Sequence, residues 1–144
     1  HYPVADLSPL IEMLNNYDIC CMKHFQRTNS FDEAMTCAKS KIDSPKIIKK
    51  QIEKYKADGF KDNLGLFETS CLVRKHNSKL KELQDFWWKE ICEGSKRDQI
   101  SFTYSLWKTG VDCGVIPGYC RIKPNSFFQM VSHYPSTKID IKML

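Results

Sequence analysis

Two short apolar runs, residues 17–22 (YDICCM) and 66–73 (LFETSCLV), stand between segments whose apolar side chains recur at helical spacing. Runs this short, bounded by Asn and Gly, fit buried strands better than helices. The flanking segments carry their own start and stop signals. Ser8 and Pro9 open a helix, with Ser8 as cap, Pro9 at the first helical position and Leu10, Ile11 and Leu14 on its apolar side. Asn15 and Asn16 end it. Ser30 and Glu33 form a capping-box pair ahead of a second short helix that runs to about Lys39. Pro45 starts a third, with Ile47, Ile48, Ile52 and Tyr55 as its inward stripe and Gly59 as its stop. His76 and Asn77 read as a turn, after which Ser78 caps a helix with Leu80, Leu83, Trp87 and Ile91 on one side. Gly94 closes it. Ser95 caps another, which carries Ile100, Thr103 and Trp107 and stops at Gly110.

Strands alternating with helices predict an α/β fold, a mixed and partly parallel sheet covered by helices. The first long element is a helix, so strands that complete the sheet are expected upstream of His1. No repeat, low-complexity stretch or linker divides residues 1–144, which read as one domain and as the C-terminal part of a larger one. With 42% hydrophobic and 27% charged residues, the chain has material for a core and is neither disordered nor a disulfide-stapled scaffold.

Lys and Arg number 22 against 17 Asp and Glu, a formal charge of +5. That excess is spread out. Lys46, Lys49, Lys50 and Lys54 form the wet face of the third helix, so nucleic acid is not an expected partner. The seven cysteines are odd in number and contain no CxxC, which predicts reduced thiols, a cytoplasmic location and no zinc site. No apolar run approaches the length of a membrane span. GxGxxG, Walker A, HExxH, GxSxG and Asp-x-Asp are all absent.

Residues 94–102 (GSKRDQISF) have two readings. In one, Asp98 and Ser95 satisfy the free amides of a helix start, and Arg97 is a surface charge. In the other, Asp98 accepts the proton of a sugar hydroxyl attacking an activated donor, and Gln99 orients that hydroxyl or a donor phosphate. Residues 65–77 (GLFETSCLVRKHN) place Glu68 in an apolar run, where a buried carboxylate needs a partner. Arg74 or Arg97 would supply an ion pair; a sugar diol would supply two hydrogen bonds. Arg74, Lys75 and His76, at the strand end, face a diphosphate or form a solvated loop. His24 and Arg27 follow the first strand, where such sheets open onto sites. There His24 meets donor phosphate or metal, or belongs to an ordinary polar loop. His133 is a lone candidate metal ligand. Trp87 fits the core stripe, while its neighbour Trp88 packs at the edge or stacks on a sugar face.

In these blocks the chain resembles a glycosyltransferase-like family with plant and bacterial members, long catalogued as a domain of unknown function and related to large-virus sugar transferases. The stretches that carry the resemblance are HFQR (24–27), QIEKYKADGF (51–60), GLFETSCLVRKHN (65–77) and DFWWKEICEGSKRDQISFTY (85–104). It spans roughly residues 6–108. The resemblance implies a GT-A-like, Rossmann-related fold, a nucleotide-sugar donor, a glycan or other hydroxyl acceptor, and a divalent cation, Mn²⁺ or Mg²⁺. It further implies that Glu68, Arg74, His76 and the triplet Arg97, Asp98 and Gln99 form the acceptor side. Asp98 would be the base of an inverting transfer, and His133 a late metal contact. The family's upstream metal-binding Asp segment has no counterpart here, which also suits a non-catalytic carbohydrate-binding or interaction domain.

Overall fold

The computed structural model describes residues 2–120 and 127–129. In chain order the elements are β1 (Tyr2–Pro3), α1 (Ser8–Glu12), a 3-10 turn (Met13–Asn15), β2 (Ile19–Lys23), α2 (Ser30–Lys39), α3 (Pro45–Ala57), β3 (Phe67–Arg74), α4 (Ser78–Glu93), α5 (Asp98–Thr109), β4 (Cys113–Ile116) and β5 (Phe128–Gln129). β2 is the middle strand of a mixed sheet, antiparallel to β3 and parallel to β4. β1 and β5 form a separate antiparallel pair. The mixed α/β architecture expected from the alternating pattern is present.

Helix starts differ from the expected caps by a consistent rule. Where Asn precedes Ser, Asn takes the cap. Asn29 accepts from the Asp32 amide at 2.8 Å, and Asn77 accepts from the Leu80 amide at 2.8 Å. Asn caps at least as well as Ser, so the earlier residue wins and Ser30 and Ser78 become first helical residues. Ser8 is likewise inside its helix, and Asp6 accepts from its amide and hydroxyl at 3.0 and 2.8 Å. Ser95 lies upstream of the α5 cap position, which Arg97 occupies.

Alternation along β2 sends Ile19 and Cys21 to one face and Cys20 and Met22 to the other. The first pair packs with Phe67, Leu80, Leu83, Phe102 and Leu106; the second packs with Leu10, Ile116 and Cys120. A third cluster joins α2, α3 and α5 through Ala34, Cys37, Ile48, Tyr55, Ile100 and Tyr104. α5 therefore serves two cores on opposite sides, and every residue from Gln99 to Leu106 is buried. The one-sided stripe expected of this helix is too narrow, and its outer member Trp107 is 37% exposed. Small hydroxyls permit this burial. Ser105 Oγ donates to the Ser101 carbonyl (2.8 Å), Ser101 Oγ to the Asp98 carbonyl (3.2 Å) and Thr103 Oγ1 to the Gly65 carbonyl (3.1 Å). No hydroxyl of this set enters the core without a partner. On α3, Ile47 points out and Gln51 is buried in its stead, because Gln51 reaches across to the loop before α5.

The β2–β3 ladder is interrupted. Cys21 pairs with Leu72 but Met22 pairs with Glu68, so Thr69, Ser70 and Cys71 bulge out of register. The Cys21 thiol occupies the gap and donates to the carbonyls of Glu68 (2.7 Å) and Cys71 (3.5 Å). All seven cysteines are free. Burial pushes the Cys71 thiol up to about 11 and the Cys113 thiol up to about 12. Among the described residues no helix is long and apolar enough to cross a membrane.

Two outcomes are expected. A methyl group at Gly114, opposite Cys20 in the parallel ladder, would sit 2.7 Å from both Cys20 Sγ and the Tyr17 ring. Gly114→Ala should therefore lower stability by about 1–3 kcal/mol through overpacking, read as a lower urea midpoint; an unchanged midpoint would contradict the close approach. At neutral pH, iodoacetamide should label exposed Cys92 first and reach Cys71 and Cys113 only on unfolding, as peptide mass mapping would show.

Candidate functional site

The candidate residues gather where β2 ends, β3 begins and α5 starts. His24 follows β2 and its amide bonds the Leu66 carbonyl at 2.9 Å. Its Nδ1 accepts from the amides of Gln26 and Arg27, both at 3.1 Å, and its Nε2 lies 3.3 Å from Arg27 Nη2. Nε2 faces Glu68 Oε1 at 3.6 Å. The other Glu68 oxygen accepts from Gln99 Nε2 at 3.4 Å. Glu68 is 0% exposed. Neither Arg74 nor Arg97 provides the ion pair that the sequence suggested; a histidine and an amide take that place. Arg74 instead meets Gln84, whose amide oxygen, turned toward the guanidinium, accepts from Nε at 3.2 Å.

A second buried set lies alongside. Arg27 pairs with Glu33, which is 2% exposed and accepts from the Cys37 thiol at 3.3 Å. Desolvation, and then Glu33, raise the Cys37 thiol above its ordinary value, while Arg97 beside it works in the opposite direction. Arg97 is thus half-buried rather than a surface charge, and its buried Nε finds no acceptor among the described residues.

Asp98 is the first residue of α5 and half-buried. Thr69, thrown out of register by the bulge, donates to Oδ2 at 2.5 Å, and the Gln99 amide donates to Oδ1 at 3.0 Å. Trp87 Nε1 donates to the Asp98 carbonyl at 3.1 Å. The loop before α5 is tied to α3. Asp43 accepts from Ser95 Oγ (2.8 Å) and the Lys96 amide (2.9 Å), and Gln51 accepts from the Ser95 amide (2.9 Å). Asp98 opens on a groove of about 650 Å³ that also includes Arg74, Trp87, Trp88 and Lys96. Trp88 is 67% exposed there.

Other candidates lie apart. Arg74 pairs with Ile19, at the start of β2, so Lys75 and His76 lie at the end of the sheet opposite His24. There Lys75 bonds Asp18 through its amide (2.9 Å) and its ammonium (3.2 Å), and exposed His76 borders the start of α4. His133 lies outside the described residues. Sequence reasoning missed Thr69 as a partner of Asp98. It also missed Asp43 and Asp62, the latter accepting from Ser30 Oγ (2.7 Å) and the Phe31 amide (2.7 Å). Asp43 and Asp62 sit in loops far along the chain from their partners, and no local pattern marks them.

A family model described as TOD1/MUCI70, glycosyltransferase-like domain, matches residues 5–121. The chain belongs to this TOD1/MUCI70 glycosyltransferase-like family. The match runs past α5 and through β4, further than the 6–108 span of the quoted stretches. No curated protein and no solved structure matches the chain. Membership in this family points to glycosyl transfer and sugar-related partners. Among the described residues no three His, Cys, Asp or Glu side chains come together in a way that could hold a metal ion.

The Ser95 hydroxyl, then the amides of Ser44 and Lys96, hold the Asp43 carboxyl below its ordinary value. A lowered carboxylate contributes stability above its unfolded pKa and loses it as pH falls through the folded one. Wild type should therefore be more stable than Asp43→Asn at pH 6–7, with the gap closing below roughly pH 4. Thermal midpoints across pH will test this; a constant gap would mean the contact is not ionic.

Proposed function

We propose that these residues form the acceptor-binding side of a GT-A-type glycosyltransferase, which moves a sugar from a nucleotide-sugar donor to an acceptor hydroxyl with Asp98 as base. The observation that carries this reading is the Asp98 carboxylate, held by Thr69 and the Gln99 amide at the rim of a groove with two tryptophans. Asp98 takes the acceptor proton as the hydroxyl oxygen bonds to the anomeric carbon. The bond from that carbon to the nucleoside diphosphate breaks, giving inversion. Gln99 is fixed by Glu68, so Glu68 acts through Gln99 and His24; its 0% exposure keeps it from substrate. Half-buried Arg97 stands beside Cys37, where its charge favours a phosphate-bearing donor, whereas Arg27 is already paired with Glu33. A divalent cation, Mn²⁺ or Mg²⁺, belongs to the same reading, but the described residues offer no three-ligand set for it.

A second reading, a carbohydrate-binding domain without catalysis, is favoured by the exposure of Trp88. Donor chemistry separates the two. Full-length protein supplied with Mn²⁺ should bind a UDP- or GDP-sugar in calorimetry and transfer it. Asp98→Asn, which preserves shape and can still accept from Thr69, should bind donor and lose transfer by about 10²–10⁴-fold. Unchanged turnover would reject Asp98 as base; glycan binding with no donor binding would favour the second reading.

A further inference from the structure

We infer that the groove beside Asp98 is a subsite for an extended glycan, with Trp88 as the stacking platform for a sugar unit next to the one that reacts. This rests on the reading of Asp98 as the base. Three observations converge on it. Trp88 is 67% exposed, a large apolar plate left in solvent beside a half-buried Trp87 whose Nε1 is committed to the Asp98 carbonyl. An indole face suits the CH-rich face of a pyranose, and it does so without loss of a buried polar group.

Planar polar groups ring the plate. Arg74, Gln84 and Asp85 lie on the same groove. Gln84 takes the Nε and Nη1 side of the Arg74 guanidinium, and among the described residues Arg74 forms no ion pair, so its Nη2 edge remains available for hydroxyl or ring oxygens. Among the described residues Asp85 pairs with exposed Lys81, a solvent-screened contact that a ligand hydroxyl readily replaces.

Length decides between one sugar and several. Gln84, Trp88 and Ile91 follow one face of α4 at positions i, i+4 and i+7, about 10 Å of helix at 1.5 Å per residue, longer than a single pyranose. The groove is open to solvent along this face and has a volume of roughly 650 Å³. Asp98 is among the residues that line it. The acceptor class is therefore an oligosaccharide or polysaccharide, and the terminal hydroxyl is delivered to Asp98 by the grip on the units behind it.

The test uses the full-length protein on an array of neutral and uronate-containing oligosaccharides of one to six units, alongside Trp88→Ala and Trp88→Phe. Retention should rise from one unit to three. Trp88→Ala should lower apparent affinity at least tenfold, and Trp88→Phe should keep most of it. Because Trp88 is surface-exposed, both variants should keep the wild-type thermal midpoint. Monosaccharides held as well as chains, no retention of any chain, or Trp88→Ala binding equal to wild type would overturn the inference. Trp88-dependent glycan binding by a protein that transfers no sugar would retain this inference and remove the reading of Asp98. Transfer with an acceptor KM unchanged in Trp88→Ala would do the reverse.

Discussion

A helix buried on every side from Gln99 to Leu106 has nowhere to slide, and the placement of the site follows from that confinement. Phe102 and Leu106 lock α5 to the sheet, while Ile100 and Tyr104 lock it to α2 and α3. Tyr104 stacks on Tyr55 at 3.7 Å between ring centroids, which fixes the rotation of the helix as well as its depth. Its first turn then projects from a rigid body. Asp43 and Gln51 fasten the loop ahead of it, so Asp98 and Gln99 are aimed from both directions. Groups that must be held within fractions of an ångström belong on such elements, with other side chains locking their rotamers.

The polar residues near α5 divide by exposure. His24, Glu68 and Gln99 form one buried set; Glu33 and Cys37 are buried beside Arg27, whose side chain is 24% exposed. A buried carboxylate is costly unless its oxygens are met, and removing one partner leaves the other stranded in a medium that solvates it poorly. Among the described residues Glu68 on β3 is met by His24 after β2 and Gln99 on α5, and Glu33 by Arg27 from the loop after β2 and by Cys37 one turn along its own helix. These contacts tie α2, β2, β3 and α5 together at the point where the chain opens toward Asp98. Their chemistry is that of a frame. The half-buried Asp98 carboxylate and the tryptophan groove are what a substrate can touch.

Much of this was legible in the sequence because it is local. Short apolar runs marked β2 and β3, helical spacing marked α3 and α4, and the succession Gly65, Leu66, Glu68 with Arg97, Asp98, Gln99 marked the site. The adjacency of Trp87 and Trp88 fixed one in and one out. What escaped depends on distance along the chain. The apolar run that reads 66–73 as a continuous strand cannot reveal that Thr69, Ser70 and Cys71 leave the ladder, where a thiol on β2 bonds the carbonyls of Glu68 and Cys71. The serines at 30 and 78 looked like caps until asparagines one residue earlier took the role. α5 looked one-sided because Ser101, Thr103 and Ser105 count as polar, although each hydroxyl is consumed by a backbone carbonyl and buried at little cost.

The bulge in β3 carries a consequence for descent. Pairing is set independently on its two sides, at Leu72 with Cys21 and at Glu68 with Met22. A residue gained or lost among 69–71 would leave both pairings and their facing intact. The same change elsewhere in the strand would turn half of its side chains to the wrong face. The reach of Thr69 toward Asp98 is therefore open to drift by insertion and deletion, in a strand that otherwise tolerates none. Lineages of this chain have at that point a place where the grip on the carboxylate can be lengthened or slackened while the sheet stays as it is.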